Sequence, residues 1–104
     1  MRLVISTSKE SDAPELAKIL VEEKLAACVN VVPGATSYYT WEGKLEQDEE
    51  SLLFIKTTAG AVQRLTARLR ELHPYDVPEI ISLEIRGDEG NGDYLKWVRD
   101  CVVS

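Results

Sequence analysis

Apolar residues recur along this chain at two periods, and each change of period marks a new element. Leu3-Val4-Ile5-Ser6-Thr7 is β-branched and mostly apolar, which predicts a first strand. From Asp12 the spacing turns helical, with Leu16, Ala17 and Leu20 on one stripe and Ile19 beside them. Asp12 fits a helix cap, Pro14 the first turn and Glu15 the far side of a capping box, so this helix is expected from Ala13 to Leu25 or Ala26. Cys28 to Thr40 reads as a long extended segment that Pro33-Gly34 should bend or bulge without ending. Trp41-Glu42-Gly43-Lys44 predicts a hairpin turn into a return strand that starts near Lys44.

The return strand carries the most informative alternation. Its first half is acidic (Glu46, Asp48, Glu49, Glu50) and reads as a solvated strand entry. Its second half places Leu52 and Phe54 on one face and Leu53 and Ile55 on the other. A strand apolar on both sides is buried on both sides. One layer of helices covers one face, so a partner subunit is the expected cover for the second. A second helix is expected from Ala61 to Leu72, with Val62, Leu65, Leu69 and Leu72 on its stripe. A strand from Ile80 to Arg86, a polar Asp88–Gly92 loop and a final helix from Tyr94 to Val102 capped by Asp93 complete the chain. The order β-α-β-β-α-β plus a closing helix predicts an α+β, ferredoxin-like fold, a split βαβ sheet with helices on one face, in one domain over residues 1–104.

Composition narrows the function classes. A net charge of −6 and a pI near 4.8 argue against nucleic acid and anionic membrane as partners, because both call for a basic patch. The apolar run after Met1-Arg2 is too short for a signal peptide, and no stretch reaches the length of a membrane span, so a cytoplasmic protein with free thiols is expected. Unusual residues concentrate between the second helix and the last strand, in Leu-His-Pro-Tyr-Asp-Val-Pro-Glu, residues 72–79. The segment holds the sole histidine, His73, and two prolines, each of which pushes the residue before it toward an extended conformation. It is therefore a stiff polar loop, the kind that either ends a helix or holds a binding site. Cys28, His73 and Cys101 are the soft or borderline metal donors, and they show no zinc-site spacing. No nucleophile elbow, phosphate loop or Ser-His-Asp pattern is present, so an enzyme is not expected. Lys56 either snorkels to the sheet edge or contacts an anion, and Tyr38, Tyr39 and Trp41 either pack across their hairpin or form a subunit contact.

Four motifs carry a family resemblance: Leu25-Ala26-Ala27-Cys28-Val29-Asn30; Ser37-x-Tyr39-x-Trp41-x-Gly43; Glu50 followed by Lys56-Thr57-Thr58; and His73-Pro74-Tyr75-x-Val77-Pro78-Glu79-Ile80. With Tyr94-Leu95-x-Trp97 they run in order through nearly the whole chain, which resembles the CutA family of divalent-cation tolerance proteins. The resemblance implies a ferredoxin-like subunit in a tight homotrimer of PII-like architecture, with ligand clefts between subunits. It further implies binding of Cu(II) or another divalent metal, not needed for folding, with Cys28, His73 and Glu79 as metal ligands. Tyr39, Trp41, Glu50, Lys56 and Tyr75 would then line the cleft. The alternatives are a PII-like sensor of a small anionic ligand, contacted by Lys56, His73 and Tyr75, and a structural trimer that anchors a partner protein.

Overall fold

The computed structural model describes residues 1–103. Eight elements follow one another: β1 (Arg2–Ser8), α1 (Ala13–Glu22), β2 (Cys28–Trp41), β3 (Lys44–Thr57), a 3-10 turn (Ala59–Ala61), α2 (Val62–Leu72), β4 (Ile80–Glu84) and α3 (Gly92–Cys101). The strands form one antiparallel sheet in the order β2-β3-β1-β4, the ferredoxin-like arrangement that the element order predicts. Helices α1 and α2 cover one face. Val4 of β1 and Leu53 and Ile55 of β3 point into that layer and meet Leu16, Leu20, Leu65 and Leu69 in the main core. Helix α3 packs separately, through Val98 and Val102 against Ala27 and Ala61.

Three boundaries differ from the sequence expectation by two residues or more, and those of the two helices have a local reason. Helix α1 stops at Glu22, short of Leu25, because Lys24 takes a left-handed φ of 59° and the amides of Leu25 and Ala26 turn back to the carbonyl of Leu20. Asp12 precedes that helix without a side-chain capping bond. At α3 the cap is Asn91, whose side-chain oxygen accepts from the amides of Asp93 and Tyr94, so Asp93 becomes a first-turn residue. Strand β4 ends at Glu84, although Ile85 still donates its amide to Met1 O at 3.0 Å.

Two features position the functional surface. First, β2 and β3 extend as a hairpin past the end of β1, whose last pairing is Ser8 with Ser51. A bulge within β2, two residues (Pro33, Gly34) facing one (Ser51), interrupts that hairpin where the sequence predicts it. Gly34 occupies the left-handed region there (φ 81°) and donates its amide to Glu10. Second, the sheet face away from the helices carries Leu3, Ile5, Leu52, Phe54, Ile81 and Leu83, in paired register across β3, β1 and β4. Ile81 and Leu83 are 49% and 46% exposed, and the other four are half-buried. Both faces of β3 are thus apolar as expected, and one of them is open.

Candidate functional site

The stiff segment after α2 builds one wall of the site. His73 is extended, as a residue before proline should be, and its amide closes the helix on Leu69 O at 2.8 Å. Its ring is buried. Nε2 lies 2.7 Å from Thr7 O, at the end of β1, and the amide of Tyr75 donates to Nδ1 at 3.2 Å. A carbonyl only accepts and an amide only donates, so the imidazole is neutral with its proton on Nε2, and both nitrogens are engaged. Tyr75 packs on that ring at a centroid distance of 4.6 Å and donates its hydroxyl to Glu50 Oε2 at 2.9 Å. The line Thr7–His73–Tyr75–Glu50 ties the loop to two strands.

The hairpin forms the opposite wall. Opposed residues of an antiparallel pair share a face, so Tyr39 stands beside Glu46 and Ser37 beside Asp48, with Trp41 next in the row. Tyr39 donates its hydroxyl to Asp48. Between hairpin and loop lies a groove of about 940 Å³, with Thr7 and Lys9 also lining it. Six carboxylates (Glu46, Asp48, Glu49, Glu50, Asp76, Glu79) face one ammonium, that of Lys9.

This field acts on the two phenols. The hydrogen bond to Asp48, then burial and the charges of Asp48, Glu46 and Glu50, push Tyr39 up to about 12. Burial first, then the bond to Glu50 and its charge, push Tyr75 up to about 12. A phenol whose pKa is raised in the fold adds stability that is whole below the unfolded value near 10 and lost as pH climbs through about 12. Tyr75→Phe is therefore expected to remove a late component from the ultraviolet titration of tyrosinate. An unchanged upper end of the curve would show that the Tyr75–Glu50 bond does not persist in solution.

A second polar cluster sits at the other end of the sheet. Lys56 lies 3.9 Å from Cys28 Sγ and donates to Asn30 on the open face. Tyr94 of α3 completes it; burial, then the charge of Cys28 and a hydrogen bond to it, raise the Tyr94 phenol.

The whole chain carries the signature of one family. A family model described as "CutA1 divalent ion tolerance protein" matches residues 1–101. The chain belongs to the CutA1 family. It is 51% identical over 98 residues to a divalent-cation tolerance protein CutA of Thermus thermophilus, covering 94% of this chain and 93% of that one. It is 45% identical to the human protein CutA over 100 residues, covering 96% of this chain and 55% of the longer human one. Among solved structures, the Thermus thermophilus protein superimposes with a TM-score of 0.93 at 50% identity, over 99% of this chain and 100% of its own. The PII-like protein CutA of Nostoc in its apo form gives 0.94 at 30% identity, over 99% and 98%.

Placed on the CutA1 fold, the expected site residues separate into two groups. Tyr39, Trp41, Glu50, Tyr75 and Glu79 line the groove. Cys28 and Lys56 lie level with Leu3, and His73 contacts Thr7, four residues or about 13 Å further along β1. One subunit therefore does not bring Cys28, His73 and Glu79 together, and no three His, Cys, Asp or Glu side chains converge on a metal position among the described residues. Sequence reasoning missed the groove roles of Glu46, Asp48 and Asp76. The signal for the first two was there: acidic residues at i, i+2 and i+4 of a strand share one face.

Proposed function

We propose that this CutA1 chain is a non-enzymatic, cytoplasmic protein that assembles as a homotrimer and binds divalent cations, copper(II) foremost, at sites shared between subunits. The observation that carries this reading is the apolar face of the sheet away from α1 and α2, where Ile81 and Leu83 are exposed and Leu3, Ile5, Leu52 and Phe54 are only half-buried. Leaving such a face in water forfeits about 25 cal/mol for each Å² of apolar surface, a strong drive toward a second copy. Both sheet edges and the projecting hairpin also offer unpaired backbone to a neighbour. The family description, divalent ion tolerance, supports the cation.

The donor chemistry fits a shared site better than a private one. Cys28 is half-buried beside Lys56 on the open face, and Glu79 is exposed on the groove wall. A thiolate donor favours copper or zinc over magnesium or calcium. His73, with both ring nitrogens engaged, serves as the anchor of the loop and would ligate only by releasing Thr7 or Tyr75. The groove's charge balance gives no support to a small anionic ligand there.

Native mass spectrometry of the intact protein, with and without Cu(II), tests both halves of the proposal. The expected result is a trimer that takes up one ion per subunit and loses that uptake in Cys28→Ala. A metal-free trimer would remove the copper site, and a monomer would remove the assembly.

A further inference from the structure

We propose that Lys56 sets the charge selectivity of the cation site proposed at Cys28, a role that rests on that reading. Its ammonium disfavours divalent ions at the sulfur relative to monovalent ones. The first ground is position. Lys56 stands opposite Cys28 in the register of β2 with β3, and its Nζ lies 3.9 Å from Cys28 Sγ while donating to Asn30 Oδ1. Tyr94 of α3 hydrogen-bonds to the same sulfur. The sulfur and the amide oxygen thus already hold a cation, and it belongs to the chain itself.

The second ground is that nothing local offsets this charge. Lys56 forms no ion pair with a carboxylate among the described residues. The row it shares across the sheet continues through Leu3 and Leu83, and Phe54 precedes it on the same face. In such apolar surroundings a charge is weakly screened and acts strongly on a second charge at this distance. The third ground is charge balance. A metal ion that binds a thiol displaces its proton. A divalent ion leaves one net positive charge on the metal–sulfur unit, and a monovalent ion leaves none. The ammonium repels the first product and is indifferent to the second. Cu(II) therefore stays in the proposed site but is held more weakly than the same donors would hold it without the lysine. Either ion must push the ammonium off the sulfur, so that cost cancels in the ratio of their affinities.

Competition titrations of the intact protein with Zn(II) and Ag(I) read this ratio, since neither ion oxidises a thiol. The ratio of Zn(II) to Ag(I) affinity is expected to rise about tenfold or more in Lys56→Met and to stay at the wild-type value in Lys56→Arg, which keeps the charge. Lys56→Gln replaces the methionine variant should circular dichroism show that one unfolded. An unchanged ratio in a folded, charge-free variant, or a ratio that rises equally in Lys56→Arg, would overturn the assignment. Cys28→Ala separates the two proposals. Both ions bound as tightly there as in the wild type would remove Cys28 as the donor and the role of Lys56 with it. Binding lost in Cys28→Ala, with the ratio unchanged in Lys56→Met, would overturn the role of Lys56 alone.

Discussion

Replacing Phe54 by aspartate is expected to convert the proposed trimer into a folded monomer. Phe54 sits on the central strand β3, beside Ile5 of β1, in the middle of the open apolar face. Within its own subunit the ring is half-buried and outside the core that joins α1 and α2 to the sheet. A carboxylate there can stay hydrated in a monomer. In an assembled protein the same carboxylate would be buried without a partner, at a cost of several kcal/mol per subunit. Repeated in each subunit, that penalty should raise the dissociation constant by several orders of magnitude. Sedimentation analysis reads the mass and circular dichroism the fold. A variant that stays trimeric would show that this face is not the contact, and an unfolded chain would show that the subunit cannot stand without its neighbours.

His73→Ala is expected to lower stability by about 3 kcal/mol while leaving copper uptake intact. The change deletes two hydrogen bonds and leaves the Thr7 carbonyl and the Tyr75 amide to find new partners. It also frees Tyr75, and with it the bond to buried Glu50. Denaturant unfolding at fixed protomer concentration measures the loss, since the stability of an oligomer depends on concentration. A loss below about 0.5 kcal/mol would mean that the loop holds without its anchor. Copper uptake abolished in a variant of near-normal stability would make His73 a ligand.

The contrast between these two residues shows what the sequence could reveal. The environment of Phe54 is periodic: alternation through Leu52, Leu53, Phe54 and Ile55 announces a strand that is apolar on both sides. The bulge at Pro33-Gly34 is likewise local, because proline and glycine dictate it within two residues. The role of His73 depends on a carbonyl 66 positions earlier, which no local pattern encodes. Lys24 ends α1 in a left-handed conformation that ordinarily favours glycine or asparagine, so composition gave no warning. Asn91 and Asp93 are both good caps, and the choice between them rests on where the loop from β4 delivers the chain. Of the residues that the motifs offered, Tyr39, Trp41, Glu50 and Tyr75, expected in a cleft between subunits, and Glu79, expected as a metal ligand, line the groove of a single subunit. The separation of Cys28 and Lys56 from them follows from strand register, a three-dimensional quantity.

The bulge in β2 also sets a parity. Before it the even-numbered residues Cys28, Asn30 and Val32 lie opposite Lys56, Phe54 and Leu52; after it the odd-numbered Ala35, Ser37 and Tyr39 lie opposite Glu50, Asp48 and Glu46. One extra residue has exchanged the two sides of the strand. Shortening the hairpin's first strand by one position would turn Tyr39 and Trp41 away from the carboxylates and bring Tyr38 and Thr40 in their place, whereas removing two would keep the phase. Length changes in this arm are thus not graded by size: odd ones rewrite the surface, and even ones only shorten it.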